Sequence, residues 1–280
     1  MNKIPSYIYC VILLPLFLFS TAAVAENQSQ RYLITAATSG LGVAISETLA
    51  SQGHALILAG RDAKKLSALK LKLEKSYRGQ YTVELFDYSD PVSIQNLGLR
   101  LKKTAINGIA IIPPRVTINT TDIPSSEDWL NMFKFGFTAP LEVLKETLAN
   151  LQPKSSIVVI SGLSSVHYLL NYKNVNVLRK MWIAEVKNLG YQLGDRKIRA
   201  NSISPGVILT DSQKNKIQKR ALEAHKSFEE QLKEEAKDTP LHQYGNPEDV
   251  AEATAFLLSD RSKHINGVNL VMDGGLSKTY

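Results

Sequence analysis

The clearest chemical pattern in the sequence is the stretch TAATSGLG, residues 35–42, which follows an apolar run and precedes a helical pattern. Glycines give the backbone room to approach a ligand, and the neighbouring hydroxyls can donate hydrogen bonds. A strand–turn–helix with small residues at its turn binds phosphate through the N–H groups at the helix start. The stretch predicts a nucleotide-phosphate turn, with a purely structural turn as the alternative. Its predicted cofactor-binding residues are Thr35, Thr38, Ser39, Gly40, Leu41 and Gly42.

A second signal lies about 20 residues further on, where the second predicted strand ends in LAGRD. A carboxylate at this position would accept hydrogen bonds from the ribose of NAD, but Gly60 has no side chain and Arg61 follows it. A cation at this place suits the 2′-phosphate of NADP. Arg61 therefore predicts NADP(H) rather than NAD(H), and the alternative is an ordinary solvent-facing arginine.

The third predicted strand ends in FDYSD, residues 86–90. Asp87 is placed to accept a hydrogen bond from an adenine amino group, and Tyr88 follows it directly. Because aspartate after a strand is also common in turns, a plain turn residue is the alternative. Asp87 and Tyr88 complete the predicted nucleotide-binding residues before the middle of the chain.

The elements that must position these residues follow a regular alternation. Short apolar runs alternate with helical patterns, which predicts a parallel sheet covered by helices on both faces. Residues 211–245 are polar and charged, and they form a candidate lid with a predicted helix over 223–238. The predicted strands are 31–35, 55–59, 82–86, 109–112, 156–160, 198–203 and 268–272, and the predicted helices include 41–52, 62–76, 127–150, 176–193 and 247–259.

Together these motifs resemble those of the short-chain dehydrogenase/reductase family over nearly the whole chain after residue 25. TAATSGLG is similar to the family's T-G-x-x-x-G-x-G, and the resemblance continues through 198–210, 245–260 and 265–275. It implies an α/β fold of Rossmann type, doubly wound, with a seven-stranded parallel sheet between two helical layers. It also implies a nicotinamide cofactor, hydride transfer to or from a carbonyl or alcohol, and places near the nicotinamide for Pro205, Gly206 and Thr210.

The catalytic residues that the resemblance implies are missing from their expected positions. The family uses a serine, a tyrosine, a lysine four residues after that tyrosine and a supporting asparagine. Counting back without gaps from SPG puts the tyrosine place at Val175, the lysine place at Arg179 and the serine place at Gly162. The asparagine place falls near Gly136, and none of the eleven tyrosines has a lysine four residues later.

A divergent branch of the family offers a looser match, with an S-N-x-x-R-type segment and a Pro-Pro stretch after the fourth strand. VNVLRK, residues 175–180, and PPR, residues 113–115, are similar to these two features. By this resemblance an arginine would hold the ribose, although a guanidinium is a poor proton donor. The predicted catalytic residues are Arg179, Asn176, Ser161 and Tyr172, the last two as carbonyl donors, with loop or core packing as their alternative and an ordered water as another proton source.

Two functions from different classes fit these observations. The first is an NADP(H)-dependent oxidoreductase that transfers hydride to a ketone or a 3-oxoacyl-like substrate. The second is a catalytically degenerate nucleotide-binding or interaction protein that keeps the fold. We expect a small carbonyl or acyl compound as partner and no nucleic acid, because the basic residues are dispersed despite a formal net charge of +7. Residues 176–193 either pair copies into a homodimer or homotetramer or pack only on the sheet.

Residues 1–25 follow the pattern of a secretory signal, with Lys3, an apolar run and an A-x-A ending at Ala25. We expect cleavage after Ala25, export to the periplasm, no stable membrane span, and residues 26–280 as one domain. An uncleaved anchor is the alternative, and a later true start would leave a cytoplasmic enzyme. The single cysteine, Cys10, lies in this segment and the histidines lack ligand spacing, so no metal is expected.

Overall fold

Seven parallel strands form the sheet in the computed structural model, which describes residues 29–118 and 123–278. The predicted leader lies outside the described residues. The strands are β1 (Arg31–Ile34), β2 (Ala55–Gly60), β3 (Tyr81–Leu85), β4 (Ile106–Ile111), β5 (Leu151–Ile160), β6 (Arg199–Pro205) and β7 (Asn269–Met272). Their order across the sheet is β3-β2-β1-β4-β5-β6-β7, and every neighbouring pair is parallel. The predicted seven-stranded, doubly wound sheet of Rossmann type is confirmed.

The helices cover both faces of this sheet, so the predicted three-layer α/β/α arrangement is also confirmed. Nine α-helices lie within the described ranges: α1 (Gly40–Ser51), α2 (Ala63–Ser76), α3 (Pro91–Leu101), α4 (Ser126–Phe133), α5 (Ala139–Thr147), α6 (Lys173–Gln192), α7 (Asp211–Glu223), α8 (Phe228–Ala236) and α9 (Pro247–Leu258). None of the helices in these ranges is both long and apolar enough to cross a lipid bilayer.

The core is divided between the two faces because successive strand residues point to opposite sides. Ile34 and Val158 belong to the cluster under α1, α2 and α9. Their neighbours Leu33 and Val159 belong to the cluster under α3, α5 and α6. The near-continuous apolar strands thus contribute side chains to the hydrophobic clusters on both faces of the sheet, which is typical of a buried parallel sheet.

The strand order reverses between β1 and β4, and this reversal determines where a ligand can enter. Chain segments leaving these two strands turn toward opposite faces, which opens a crevice at the carboxyl ends of the strands. The Thr35 hydroxyl holds the crevice floor together, because it accepts from the Ile112 N–H at 2.8 Å and donates to the Ala110 oxygen at 3.3 Å. All of the predicted cofactor-binding residues lie at or just after the carboxyl ends of the strands.

The predicted helix over 127–150 is wrong as a single helix. A π-helical segment, Lys134–Thr138, separates α4 from α5, and a short 3₁₀ turn follows α5. Pro140 has no N–H to donate to the carbonyl of Gly136, four residues earlier. The indole N–H of Trp182 on α6 donates to that carbonyl instead, at 2.9 Å. The break is therefore held in place from a neighbouring helix.

The predicted helix over 223–238 is also interrupted. α7 ends at Glu223, His225 takes a left-handed φ of 54°, and α8 begins at Phe228. The side chains of Ser227 and Glu230 form a reciprocal capping box that starts the new helix. A bidentate pair between Arg220 and Glu235, with both N–O distances 2.7 Å, then ties the two helices together.

α6 packs inward along the face that sequence analysis offered for pairing of copies. Leu178, Trp182, Val186 and Leu189 are all buried within the chain, most of them against β5 and β6. Packing on the sheet, one of the two alternatives given above, is therefore what these side chains do. The homodimer or homotetramer stays a prediction.

His54 is a buried titratable group that anchors the start of β2. Its side chain is 3% exposed, and Nδ1 accepts from the Gln30 N–H at 3.3 Å. The imidazole also meets the Tyr32 ring edge-on, with 5.1 Å between centroids. Burial lowers the pKa of His54 below its usual 6.5. The folded protein therefore holds this histidine neutral where the unfolded chain would protonate it.

We predict that His54 makes stability depend on pH. The unfolded chain binds the extra proton first, so the free energy of unfolding falls as pH drops through about 6.5 toward the lower folded pKa. Stability above that window is unaffected. Denaturant unfolding of the wild type and of His54→Gln across this range measures the difference, and His264→Gln is the exposed control. Parallel pH profiles for wild type and His54→Gln would contradict the prediction.

Candidate active site

The turn after β1 is packed directly against the first residues of α1. Ser39 caps this helix, and its hydroxyl accepts from the Gly42 N–H at 3.1 Å. A Cβ built on Gly42 would lie 2.3 Å from the Ala36 oxygen, so only glycine fits there. Ala36 itself takes a left-handed φ of 46°, where the family motif has glycine. Because Gly42 carries no side chain, a ligand could approach the backbone N–H groups at the start of α1 closely.

Thr210 lies over the head of α1 and brings the segment after β6 to the same place. A Cβ on Gly40 would lie 2.9 Å from the Thr210 Cγ2, and Thr210 is also the residue before α7. Gly206, after Pro205 at the end of β6, allows this approach because its own Cβ would lie 2.9 Å from the Asp273 Cα. No acidic side chain lies in the first turn of α1, so its partial positive charge is free to attract an anion.

The predicted residues of the turn divide into two groups. Thr35 is fully buried and its hydroxyl is used between β1 and β4, which makes it a positioning residue. Thr38, Ser39 and Leu41 are half-buried at the surface of the turn, where a ligand can reach them.

A cavity of about 660 Å³ opens at the carboxyl ends of β2 to β4, and its lining residues all lie outside the turn. Arg61, Asp87 and Tyr88 all line it, so the structure brings these three predicted residues together. Arg61 is exposed and makes no hydrogen bond or ion pair within the described part of the chain. Tyr88 is buried, and its ring packs edge-on against Phe86 with 4.8 Å between centroids. Burial raises the pKa of Tyr88, which keeps the phenol neutral as a wall of the cavity.

Asp87 is prepared as an acceptor at the same cavity. Its carboxylate accepts from the backbone N–H and from the hydroxyl of Ser89, both at 2.8 Å. These bonds, chiefly the backbone one, lower the pKa of Asp87, and the nearby Arg61 cation acts in the same direction. Asp87 is therefore ionised at neutral pH and retains lone pairs for a further donor.

The guanidinium of Arg179 occupies the space that a side chain at position 162 would need. A Cβ on Gly162 would lie 1.7 Å from the Arg179 Nη1. The missing serine and the new arginine are therefore complementary, since the glycine makes room for the larger cation. Burial lowers the pKa of Arg179, and the nearby Arg115 cation lowers it further, whereas Tyr172 raises it. An arginine keeps its charge at neutral pH, so the cation remains.

The other two positions of the missing catalytic set are filled as well. A Cβ on Gly136 would lie 2.4 Å from the Leu178 Cδ2 and 2.9 Å from the Val116 Cγ1, so an asparagine does not fit. Val175, at the tyrosine place, is 5% exposed and belongs to the core. The family's catalytic groups at these two places are thus replaced by close packing.

Of the four predicted catalytic residues, the structure brings three together. The Ser161 hydroxyl donates to the Arg179 backbone oxygen at 3.4 Å. Tyr172 immediately precedes α6, two helical turns before Arg179, and it acts to raise the pKa of that guanidinium. Asn176 is buried, and its amide both accepts from and donates to the backbone of Leu169, at 3.2 and 2.9 Å. Asn176 therefore shapes the loop before α6.

Sequence reasoning did not single out Ser212 or the packing of Gly136. Arg115 Nη1 donates to the Ser212 hydroxyl at 3.2 Å, which joins the loop after β4 to the first turn of α7. Nothing in the residue spacing indicates this contact, because the two residues are 97 positions apart. The packing of Arg179 against Gly162 did have a sequence signal. A residue smaller than serine at position 162 and one larger than lysine at position 179 could have indicated that the second fills the space left by the first.

The fold and this crevice define a dinucleotide-binding protein of oxidoreductase type. A family model described as enoyl-(acyl carrier protein) reductase matches residues 35–277, and the chain belongs to the short-chain dehydrogenase/reductase family. The predicted class, an NAD(P)-dependent oxidoreductase acting on carbonyl or alcohol groups, is confirmed at the level of the family.

Similar proteins agree with this assignment. The 3-oxoacyl-[acyl-carrier-protein] reductase FabG of Rickettsia conorii is 28% identical over 249 residues, covering 87% of this chain and 95% of that protein. Dehydrogenase/reductase SDR family member 4 of Sus scrofa is 26% identical, covering 87% and 85%.

Two solved structures share the fold. L-Sorbose reductase from Gluconobacter frateurii, complexed with NADPH and L-sorbose, superposes with a TM-score of 0.84 at 20% identity, covering 91% of this chain and 98% of that one. An NADPH-bound short chain oxidoreductase from Pseudomonas aeruginosa, described as containing an atypical catalytic center, has a TM-score of 0.81 at 20% identity and covers 90% and 98%.

We predict that Gly162 and Arg179 are energetically coupled. Gly162→Ser should destabilise the wild type because a side chain at a φ of 157° is strained and because its Cβ also displaces the guanidinium, and it should cost less when Arg179→Ala has already cleared the space. The expected coupling free energy is about 0.5–3 kcal/mol, from a double-mutant cycle measured by denaturant unfolding. Gly194→Ser is the matched control, since no atom lies within 4 Å of its added Cβ. Additive effects of Gly162→Ser and Arg179→Ala would refute the coupling.

Proposed function

We propose that this protein is an NADP(H)-dependent reductase whose substrate is a ketone or a 3-oxoacyl-like carbonyl compound. The observation that carries the proposal is the close contact between Gly42 and Ala36 at the head of α1, beside the unpaired Arg61. A backbone cradle of this kind binds a pyrophosphate, and a free cation after β2 suits a 2′-phosphate. The NADPH-bound structure of L-sorbose reductase supports the choice of cofactor.

The residues at the crevice carry the kinds of groups that this cofactor needs. Ser39, Gly40 and Gly42 would hold the pyrophosphate through N–H groups, with the Thr210 hydroxyl on the opposite side. Asp87 would accept from the adenine amino group, and Arg61 would pair with the 2′-phosphate. When bound, NADPH supplies a hydride to the carbonyl carbon of the substrate.

The proton that completes the reduction comes, in this proposal, from Tyr172. Its phenol would donate to the carbonyl oxygen, and the Arg179 cation beside it would stabilise the resulting phenolate. Arg179 itself keeps its protons, because a guanidinium is too weak an acid. Ser161 would orient the substrate from the end of β5. A tyrosine before α6 with an arginine two turns later thus substitutes for the usual Tyr-x-x-x-Lys pair.

The choice of substrate class is supported by the similar proteins. FabG of Rickettsia conorii is a 3-oxoacyl-[acyl-carrier-protein] reductase, and the Gluconobacter structure contains a ketose. Both reactions reduce a carbonyl group that is flanked by carbon. Turnover with NADPH on a panel of ketones and 3-oxoacyl thioesters tests this part of the proposal.

A second candidate function is a nucleotide-binding or interaction protein without turnover. It is favoured by one observation, the filling of the serine, asparagine and tyrosine places described above. Tight NADPH binding without reduction of any carbonyl in the panel would select this candidate. Cleavage after Ala25 and export to the periplasm are proposed from the sequence. N-terminal sequencing of the protein recovered from the periplasmic fraction tests both.

We predict that Arg61→Glu weakens the preference for NADPH over NADH. A charge-assisted hydrogen bond to phosphate contributes about 1.5–3 kcal/mol, so the ratio of the two dissociation constants should change about tenfold or more. Isothermal titration calorimetry with each nucleotide measures this ratio. Arg78→Glu is the control because it makes the same charge change at an exposed arginine just before β3, at the amino end of the strand and away from the crevice. It should leave the ratio of the two dissociation constants unchanged. An unchanged ratio in Arg61→Glu would remove Arg61 from the cofactor site.

We predict that Tyr172→Phe lowers kcat at least about 100-fold, because general acid catalysis contributes roughly that much or more. Steady-state kinetics on the best substrate of the panel measures the effect. Tyr168→Phe is the control, since this tyrosine is 66% exposed on the same loop. If Tyr172→Phe retains full kcat, another group or a water supplies the proton.

A further inference from the structure

A chain of buried hydrogen bonds joins the edge strand β7 to the turn that follows β5. The hydroxyls of Ser165, in that turn, and Ser204, on β6, are 2.7 Å apart. The Ser204 hydroxyl donates to Oδ1 of Asn269 on β7, also at 2.7 Å. Both serines are buried, so water does not compete for these bonds. A side chain on the outermost strand is therefore connected to a residue three positions after Gly162.

The chemistry of Asn269 fixes the direction of the donors. An amide oxygen accepts hydrogen bonds and cannot donate, and Oδ1 of Asn269 accepts from Ser202 at 2.8 Å as well as from Ser204. A hydroxyl has one proton, so Ser204 gives its proton to Asn269 and must accept from Ser165. The Ser165 hydroxyl is thereby held in one orientation. Because the amide oxygen carries no proton to pass on, the chain positions groups and does not relay protons.

Ser165 is the last residue of a 3₁₀ turn, Leu163–Ser165, that begins directly after Gly162. Its N–H donates to the Gly162 oxygen at 2.9 Å, so the position of Ser165 determines that of Gly162. The hydroxyl of Ser164 is buried and has no hydrogen-bond partner within the described residues. In the described part of the chain, the Ser165 hydroxyl thus makes the one side-chain hydrogen bond between this turn and the sheet.

Gly162 in turn is the surface against which the guanidinium of Arg179 packs. A Cβ on this glycine would lie 1.7 Å from the Arg179 Nη1, so no gap separates the two. A displacement of the turn would therefore change the space that the guanidinium occupies. The path from Asn269 through Ser204 and Ser165 ends at this cation.

We infer that Asn269 is a positioning residue for the reaction, because it holds the turn after β5 against Arg179 through the two serines. This inference rests on the proposed function, in which the Arg179 cation stabilises the phenolate of Tyr172. That stabilisation falls as the distance between the two charges grows. Loss of the Asn269 acceptor therefore lowers kcat, whereas NADPH binding, whose proposed contacts are at α1 and Arg61, stays the same.

Steady-state kinetics and NADPH titration on variants of the full chain test the path. Asn269→Leu removes the acceptor, and Ser204→Ala breaks the next link. We expect kcat to fall about 10- to 100-fold in each, the range for a small misplacement of a reacting group, with the NADPH dissociation constant unchanged. Asn269→Asp keeps an accepting oxygen and should retain most of the wild-type kcat.

Ser202→Ala is the matched control, since Ser202 is equally buried on β6 and bonds to the same oxygen, but lies outside the path to the turn. Its kcat should equal that of the wild type. An unchanged kcat in Ser204→Ala, or an equal fall in Ser202→Ala, would overturn the inference while leaving a reductase in place.

A double-mutant cycle on kcat shows whether the path acts through Arg179. In the Arg179→Ala background the cation is gone, so Ser204→Ala should lower kcat by no further factor. A general loosening of the structure would instead lower kcat by the same factor in both backgrounds. Such independent effects would overturn the inference.

Hydrogen exchange separates failure of this inference from failure of the proposed function. Exchange of the amides of residues 162–168, followed by mass spectrometry on the full chain, needs no turnover. It should become about 2- to 10-fold faster in Ser204→Ala, as expected for the loss of one buried hydrogen bond, and stay unchanged in Ser202→Ala. This result without any turnover in wild type would support the attachment of the turn and refute the reductase. Equal exchange in wild type and Ser204→Ala would overturn the inference.

Discussion

The absence of a side chain at Gly42 is the constraint on which the site depends. The helix that follows β1 begins in contact with the turn, at a distance that leaves no space for one methyl group. That contact fixes the direction of α1, and Thr210 from the other half of the sheet then packs over its first residue. The two halves of the sheet thus contribute residues to the same place, the first turn of α1. The floor beneath it is held by a single hydroxyl, that of Thr35, between β1 and β4.

At the expected catalytic positions the chain differs from its family, and each difference is accompanied by a neighbouring side chain that packs into the space. Arg179 fills the volume beside Gly162, and Leu178 with Val116 fills the volume beside Gly136. The carbonyl of Gly136, freed by Pro140, is satisfied by the Trp182 indole. Each lost catalytic side chain is therefore matched by a packed neighbour. Arg179 keeps a positive charge at the lysine place, whereas glycine or valine without a polar side chain stands at the serine, asparagine and tyrosine places.

Much of the fold could be predicted from the sequence because the relevant signals are local. Apolar runs of strand length, glycine at the turn and Arg61 after β2 each depend on residues a few positions apart. The misplaced helices depend on distant partners: the π-helical segment needs Trp182 to satisfy a carbonyl, and the break after Glu223 needs the cap of α8. Resemblance to a divergent branch of the family predicts Asn176 as a catalytic residue, yet its amide bonds to the backbone of Leu169. Local pattern places a residue on an element, but only the packed structure shows which partner it faces.

The fit between Gly162 and Arg179 also limits what position 162 can become. Any side chain there would place its Cβ on the guanidinium and would hold the backbone at a φ of 157°, which residues other than glycine rarely adopt. A substitution at position 162 therefore meets two obstacles, whereas a substitution at position 179 removes the first of them. A serine restored at position 162 alone does not rebuild the family's centre, because the cation and the backbone conformation both oppose it.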